Sequence, residues 1–517
     1  MYMDDELCNG YIKELIQIDP TINDIFFKKE YLHLKSIQPN IYSEDYYSKI
    51  NKLNKRYLFK LQEKDELTFY DKILVRDLKM EVDMENDYEI YMYMPVDVVH
   101  NLLINYVTES RGEGIYSFTI KDDYLYFIER LKSLDKITEE IIQRMTEGIK
   151  NKITLYEKIV DSMIFQIDEI LGNGNYLTPH DFPIKKWMDS IDTYLVNNLK
   201  KFNLFLKNEY RNNASNKMGL SSYKGGTKAY IQIVRDHTFS DITPEKIHSV
   251  GLSELPLLIQ KKKIIEKLLD MDKLEKEKIS GKDKIIDKLI EIREDLNNDM
   301  KKNFNQNKLK RKDLYDVKNV SLSDKIHTAF YIPPNGNKKG IFYINTEIMQ
   351  PIHPAELYIL SLHEGIPGHH YESHTHTNVN DYLKLKSYDG YSEGWGLYCE
   401  SLGEKTIEKE YFRINYEIHR TIRLLVDTGI HYYNWSYDKC FNLMKKHLDN
   451  EKSIENEILR YISLPGQAIT YKIGQKTILY LKNTILKDKS LKDFHDYIIN
   501  IGPCPLEILL EYSINDV

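Results

Sequence analysis

The stretch HPAELYILSLHEGIPGHHYESH, residues 353–374, decides how this chain is read. Its first half, HPAELYILSLHE (353–364), reads as a helix ending on the adjacent pair His363 and Glu364. In an unbroken helix a second histidine at i+4 would share the face of His363, about 6 Å along the axis. Pro367 occupies that place. Proline removes a backbone donor and Gly368 admits dihedrals closed to other residues, so the helix must break or bulge before the histidines at 369 and 370.

A catalytic zinc takes three protein ligands, usually His and carboxylate, and keeps one position open for water. It also needs a base near that water. A chain that swings back after the break brings His369 beside His363, whereas His370, at i+7 of a continuous helix, lies about 10 Å further along it. His369 is therefore the preferred second ligand, with His370 an alternative or an outer neighbour. A carboxylate is offered by YSEGWGLYCESL (391–402), a second probable helix, with Glu393 and Glu400 at i and i+7 on one face. His374 and His376, in ESHTHT, read as surface residues.

Three later segments hold polar clusters. RLLVDTGIHYYNWS (423–436) aligns Arg423, Asp427 and His431 at i, i+4 and i+8. EILRYISLPGQAITYKIG (457–474) sets Arg460, Tyr461, Gln467, Tyr471 and Lys472 around a Pro-Gly break, and FHDYIINIGPCPLEIL (494–509) reads as a terminal helix and turn. A metallohydrolase uses a His, Tyr or Arg donor for the developing oxyanion. His431 and Tyr471 are the candidates. A substrate carboxylate calls for Arg or Lys, Arg having the bidentate fork, which points to Arg460 or Lys472. Asp427 joins Glu400 as an outer partner or alternative ligand. Buried ion pairs and caps would account for each of these clusters equally well.

Outward from this region, helical periodicity dominates. Apolar residues recur at three- and four-residue steps over 139–171, an amphipathic helix pair, and over 191–214. Residues 243–316 are lysine-rich with interleaved Asp and Glu, the pattern of long helices with a solvated face. Strand signals are confined to KIHTAFYIPP (325–334) and GIFYINTEIM (340–349), a hairpin-like pair across the turn PNGNKK. A strand beside a metal helix can hold an extended peptide by main-chain hydrogen bonds, and Tyr343 and Asn345 are candidate substrate contacts there. The expected organisation is an N-terminal helical region, 1–220, and a metal-site region, 221–517, which are compatible with packing as one unit.

Composition narrows the function classes. The chain has 517 residues, 29% of them charged, with a net charge of −7, so no overall basic field invites nucleic acid. Forty tyrosines, beside abundant Lys, Asn and Ile, reflect codon bias more than function. Cys8, Cys399, Cys440 and Cys504 are far apart and form no CxxC, against a disulfide framework or a thiolate metal site. The opening MYMDDELCNGYIKEL is acidic without an apolar core, and no stretch approaches the ~18–20 apolar residues of a membrane span. The expectation is a cytoplasmic protein that engages neither nucleic acid nor membrane, of undetermined oligomeric state.

Taken in order, GLSEL, YIPPNGNKKGIFYINT, LHEGIPGHHYES, EGWGLYCESL, RLLVDTGIH, LRYISLPGQAITYKIG and FHDYIINIGPCPLEIL resemble the family labelled domain of unknown function 885, regarded as zinc metallopeptidases. The likeness is dense from about residue 220 onward. That family resembles the helical zinc peptidases that include thimet oligopeptidase, carboxypeptidase Taq and angiotensin-converting enzyme, in which a Gly-His pair ends the metal motif and a ligand Glu follows. Matching Gly368-His369 to that pair puts Glu393 at the ligand position. The resemblance thus implies His363, His369 and Glu393 as ligands, and Glu364 as general base. It also implies a mainly α architecture with a cleft and a small sheet or hairpin beside the metal helix. The two-residue extension of the motif is a departure from that group.

The expected function is a zinc-dependent hydrolase with one Zn²⁺ per chain, acting on a peptide or small amide through activated water. Mn²⁺ or Co²⁺ could stand in for zinc. The alternatives are a zinc hydrolase or lyase acting on a non-peptide amide or modified natural product, and a catalytically silent helical scaffold.

Overall fold

The computed structural model describes residues 6–26, 28–84, 89–179, 181–305, 309–320, 328–334, 339–376, 380–448 and 450–515. The chain divides into two compact units, Met1–Ala229 with Asn380–Leu385, and Tyr230–Val379 with Lys386–Val517.

The first unit is helical. The pair expected at 139–171 is formed by Leu134–Asn151 and Glu157–Asn173, parted at Lys152, which takes a left-handed φ of 58°. The run at 191–214 is α-helical over Asn197–Phe205 and flanked by wider π turns. Phe127, Trp187, Phe202 and Tyr210 are fully buried at its centre. The short excursion Asn380–Leu385 adds Tyr382, whose hydroxyl donates to Asp77 at 3.1 Å.

The second unit is built on two helix pairings. Pro244–Glu266 runs against Ile407–His431, whose last turns, Arg420 to His431, are buried on every side. Asp389–Cys399 packs against Thr470–Tyr480. Glycines meet at that crossing: a Cβ on Gly394 would fall 2.5 Å from the Cα of Gly474. Backbones therefore approach closely where Glu393 is presented.

Beside these helices lies one small sheet of β1 (Asp316–Asn319), β2 (Ala329–Ile332) and β3 (Ile341–Ile344), ordered β1–β3–β2. The helical pattern expected to run to residue 316 stops with Lys282–Asp299, and β1 is a strand absent from the sequence reading. β3 is parallel to β1 and antiparallel to β2. The turn PNGNKK falls largely outside the described residues. The strand expected over 340–349 ends at Ile344, because Asn345 caps a short helix, Thr346–Met349, by accepting from the Ile348 N–H at 3.3 Å.

Register settles which side chains share a face. Tyr331 stands opposite Phe342, and Phe330 opposite Tyr343. Opposed residues share a face and faces alternate along a strand. Tyr331 and Phe342 therefore occupy one side, while Tyr343 stacks on Phe330 at 5.0 Å on the other. β2 is an edge strand and adjoins the helix Pro354–Glu364.

The fold is thus mainly α with a small sheet. All four cysteines are buried, and none is in a disulfide. Among the described residues no helix is long and apolar enough to cross a membrane.

Candidate metal centre

The helix Pro354–Glu364 opens on His353, whose Nδ1 accepts from the Ala355 N–H at 3.0 Å, with Pro354 in the first turn. It ends at Gly365, the chain passes a cis Ile366–Pro367 bond, and a new helix runs His369–Thr375. Gly368 sits directly on the end of the first helix. A Cβ there would lie 1.8 Å from the carbonyl oxygen of His363 and 2.4 Å from that of Leu362. Only glycine allows so close a return. Trp395 Nε1 donates to the Pro367 carbonyl at 2.9 Å and ties the bend to the helix Asp389–Cys399.

This return brings His369 beside His363, their rings perpendicular with centroids 4.9 Å apart. Glu393 faces both. Its Oε2 lies 3.3 Å from His363 Nε2 and 3.4 Å from His369 Nε2. One ligand atom from each of the three residues falls within 4.8 Å of the others. With zinc–ligand distances of about 2.0–2.2 Å, tetrahedral ligand atoms are about 3.3–3.6 Å apart. The carboxylate-to-imidazole spacings fit such an ion, and the donor set of two imidazoles and a carboxylate is one that zinc takes.

Behind the three stand further carboxylates. His363 Nδ1 is 3.0 Å from Glu400 Oε1, and His369 Nδ1 is 3.5 Å from Glu372 Oε2. Glu372 accepts in turn from Ser392 Oγ at 2.5 Å, and Arg420 lies 3.6 Å from Glu400. Each imidazole thus turns one nitrogen inward and the other onto an outer acid, the arrangement that orients metal-binding histidines. Burial opposes charge at Glu393, yet His363 and His369 outweigh it and hold the carboxyl well below its usual range. Burial likewise opposes protonation of His369, but Glu372 and Glu393 raise it well above the ordinary imidazole value. Glu364, 8% exposed, makes no hydrogen bond or ion pair among the described residues. Its carboxylate is available for proton transfer.

The remaining sequence candidates divide. Tyr471 lies parallel to His363 with ring centroids 6.0 Å apart, and its hydroxyl accepts from Arg460 at 3.2 Å. Arg460 also donates to Gln467 at 2.9 Å and to Glu457 at 3.4 Å, and reaches the centre only through Tyr471. His370 does not join it. Its Nδ1 meets the Tyr331 hydroxyl at 2.8 Å, and burial pushes its pKa down to about 3. His431 is buried, stacked on Tyr230 at 5.2 Å, with Nε2 on the Tyr461 carbonyl at 2.8 Å. That nitrogen is committed to the backbone, which counts against an oxyanion role. Asp427 is completely buried between the Tyr230 hydroxyl and the Gly466 N–H, and is no ligand in this arrangement. Lys472 is 3% exposed and saturated by Glu417 at 2.6 Å, Glu254 at 3.1 Å and Gln475 at 2.9 Å, so a substrate carboxylate has no access to it. Tyr343 lies on the sheet face opposite Tyr331, and the Asn345 oxygen is spent as a helix cap. His376, read as a surface residue, is buried against the Ile499 carbonyl at 2.9 Å.

Sequence reasoning passed over Glu372, Arg420, Glu457 and Tyr230. Glu372 carried a signal, since i+3 from His369 places it on the same face. Tyr230 carried none, lying far from its partners in sequence.

The chain belongs to the family described as "Bacterial protein of unknown function (DUF885)", whose model matches residues 35–512. No curated protein matches it. Among solved structures it is similar to a "putative lipoprotein" from Colwellia psychrerythraea, at 18% identity and a TM-score of 0.83, covering 99% of this chain and 98% of that one. It is also similar to one of unknown function, likewise so described, from Shewanella oneidensis, at 16% identity and a TM-score of 0.70, covering 99% and 100%. These likenesses extend the fold across the full length.

Proposed function

We propose that this DUF885 member is a zinc-dependent hydrolase that cleaves short peptides or C-terminal residues. The observation that carries the reading is one carboxylate oxygen, Glu393 Oε2, facing two imidazole nitrogens at 3.3 and 3.4 Å, each imidazole backed by a second acid. His363, His369 and Glu393 would hold the ion. When bound, Zn²⁺ supplies the positive charge that brings the pKa of water towards ~7 and polarises a carbonyl.

The chain's own groups do the rest. Glu364, unpaired and adjacent to His363, accepts a proton from the attacking water and returns it to the leaving amine. Tyr471 offers a hydroxyl donor to the developing oxyanion. Arg460, bonded to that hydroxyl and shared with Glu457 at 3.4 Å, is the candidate cation for a substrate C-terminal carboxylate. β2, at the sheet edge beside the metal helix, offers main-chain groups to an extended peptide.

The test is metal content by mass spectrometry of the purified protein beside His363→Ala, followed by a peptide library and a panel of non-peptide amides. About one zinc per chain, lost in the variant, with cleavage of peptides, is the expected result. Cleavage confined to the other amides would move the substrate class. Absence of metal after zinc is offered would remove the hydrolase reading.

A further inference from the structure

Arg423, Asp427 and His431 stand one turn apart on the helix Ile407–His431, and each grips the same separate segment. Arg423 donates to Glu457 at 3.0 Å and to the Tyr461 hydroxyl at 3.1 Å. His431 Nε2 bonds the Tyr461 carbonyl at 2.8 Å. Asp427 accepts the Gly466 N–H on both oxygens, at 3.2 and 3.1 Å. Tyr230 closes the set from a third helix, its hydroxyl on Asp427 and its ring stacked on His431.

The gripped segment is the last turns of the helix Glu451–Ser463 and the bend that joins it to Thr470–Tyr480. Gly466 turns it with φ +78°, and a Cβ there would press on Ile233 at 2.9 Å. Arg460 stands before the bend and Tyr471 after it. They meet at 3.2 Å, with the Tyr471 ring parallel to His363. The Arg423 guanidinium also lies 4.5 Å from the centre of that ring. Where Tyr471 stands beside His363 is therefore set by where the bend is held.

We infer that Arg423, Asp427, His431 and Tyr230 form a rack of positioning residues that fixes the 457–471 bend, and through it Tyr471 and Arg460, against the metal centre. The bonds of these four described above run to the 457–466 segment and to one another. Their effect runs through Tyr471. The inference rests on the hydrolase reading for its catalytic consequence, and on geometry alone for the rack. It gives His431 and Asp427 a common task in place of separate chemical ones.

Two variants probe the rack in the full-length zinc-loaded protein. Tyr230→Phe removes one hydroxyl and keeps the ring on His431. Asp427→Asn puts an amide where the Gly466 N–H needs an acceptor on either oxygen. Both should keep the zinc content of the parent, while backbone hydrogen exchange across residues 461–471 quickens. On a peptide that the parent cleaves, kcat should fall about 10–100-fold, the scale of a displaced catalytic group, with KM changing less. His431→Gln, whose amide can still donate to the Tyr461 carbonyl, should keep most of the turnover that His431→Leu loses. Unchanged exchange in Tyr230→Phe and Asp427→Asn overturns the rack, as does a zinc loss that shows the effect to run through the ligands. A parent that binds zinc and cleaves nothing would defeat the hydrolase reading, while exchange would still decide the rack.

Discussion

His363 and Glu400 form a buried pair 3.0 Å apart, with Nδ1 of the imidazole on Oε1 of the carboxylate. The contact leaves Nε2 directed at Glu393. Glu400 is 3% exposed. Such outer partners typically account for 10–100-fold in metal affinity. Glu400→Gln should weaken zinc binding by about that factor, read by competition with a chromophoric chelator. Equal affinity in parent and variant would show that His363 is oriented by its packing alone.

Glu364 makes a sharper separation between binding and chemistry. Glu364→Gln should keep one zinc per chain and lose about 10²–10⁴-fold in turnover, the usual contribution of a positioned proton-transfer group. Normal turnover in this variant would take the general-base role away from Glu364.

Gly396 tests how closely the ligands are packed. A Cβ at Gly396 would fall 2.8 Å from His363 Cε1 and 2.9 Å from its Nε2, so Gly396→Ala must displace the imidazole. Zinc affinity should drop in a protein that still folds. Gly172, in the helix Glu157–Asn173, has open space where its Cβ would be. Gly172→Ala should leave affinity alone and stabilise the chain by up to about 1 kcal/mol. A Gly396→Ala protein that binds zinc as tightly as Gly172→Ala does would contradict the geometry at His363.

Acid should destabilise the protein through its buried neutral histidines. Burial pushes His419, His431 and His495 down to about 4. Between an unfolded value near 6.5 and that folded value, the unfolded chain binds protons that the folded chain refuses. Stability from these groups is complete above about pH 6.5 and is lost as pH falls towards 4. Asp427, raised by burial to about 7, acts with the opposite sign, losing its contribution as pH rises from about 4 to 7. His370, held at about 3, adds to the loss, while burial also raises Asp24, Glu356 and Asp389 on the side of Asp427. With most of the large shifts on the histidines, acidification costs stability on balance, each histidine on the order of 1–3 kcal/mol. The urea midpoint should therefore drop between pH 6.5 and 4, and less steeply in His431→Gln. A midpoint that holds level in the parent would refute this balance.

Local pattern carried much of this protein. Apolar spacing marked the helices at 139–171 and 353–364, Pro367 and Gly368 marked the break, and β-branched and aromatic runs marked β2 and β3. These are properties of neighbours along the chain, where side-chain direction follows from helix or strand period. The same reasoning failed at Asp316–Asn319, a short half-exposed strand whose partner, β3, lies elsewhere in the sequence. Charge composition could not separate it from a helix.

By itself the sequence determined a mainly helical chain, a helix that ends on His363 and Glu364, and a stripe of Arg423, Asp427 and His431. Only the tertiary structure decided what each of these faces. His369 rather than His370 stands beside His363, because Gly368 folds onto the carbonyls ending the first helix. Glu393 turns to both imidazoles and Glu400 to one, although their spacing of seven residues predicts one helix face, and the helix of Glu393 crosses its neighbour closely at Gly394 and Gly474. The stripe, readable as catalytic, meets the 457–466 backbone and side chains instead. Lys472, charged and suited to a substrate, is enclosed by two glutamates. A residue's type and period state what it can bond. Its partner is decided by which distant helix packs against it, and that information is held in no single segment.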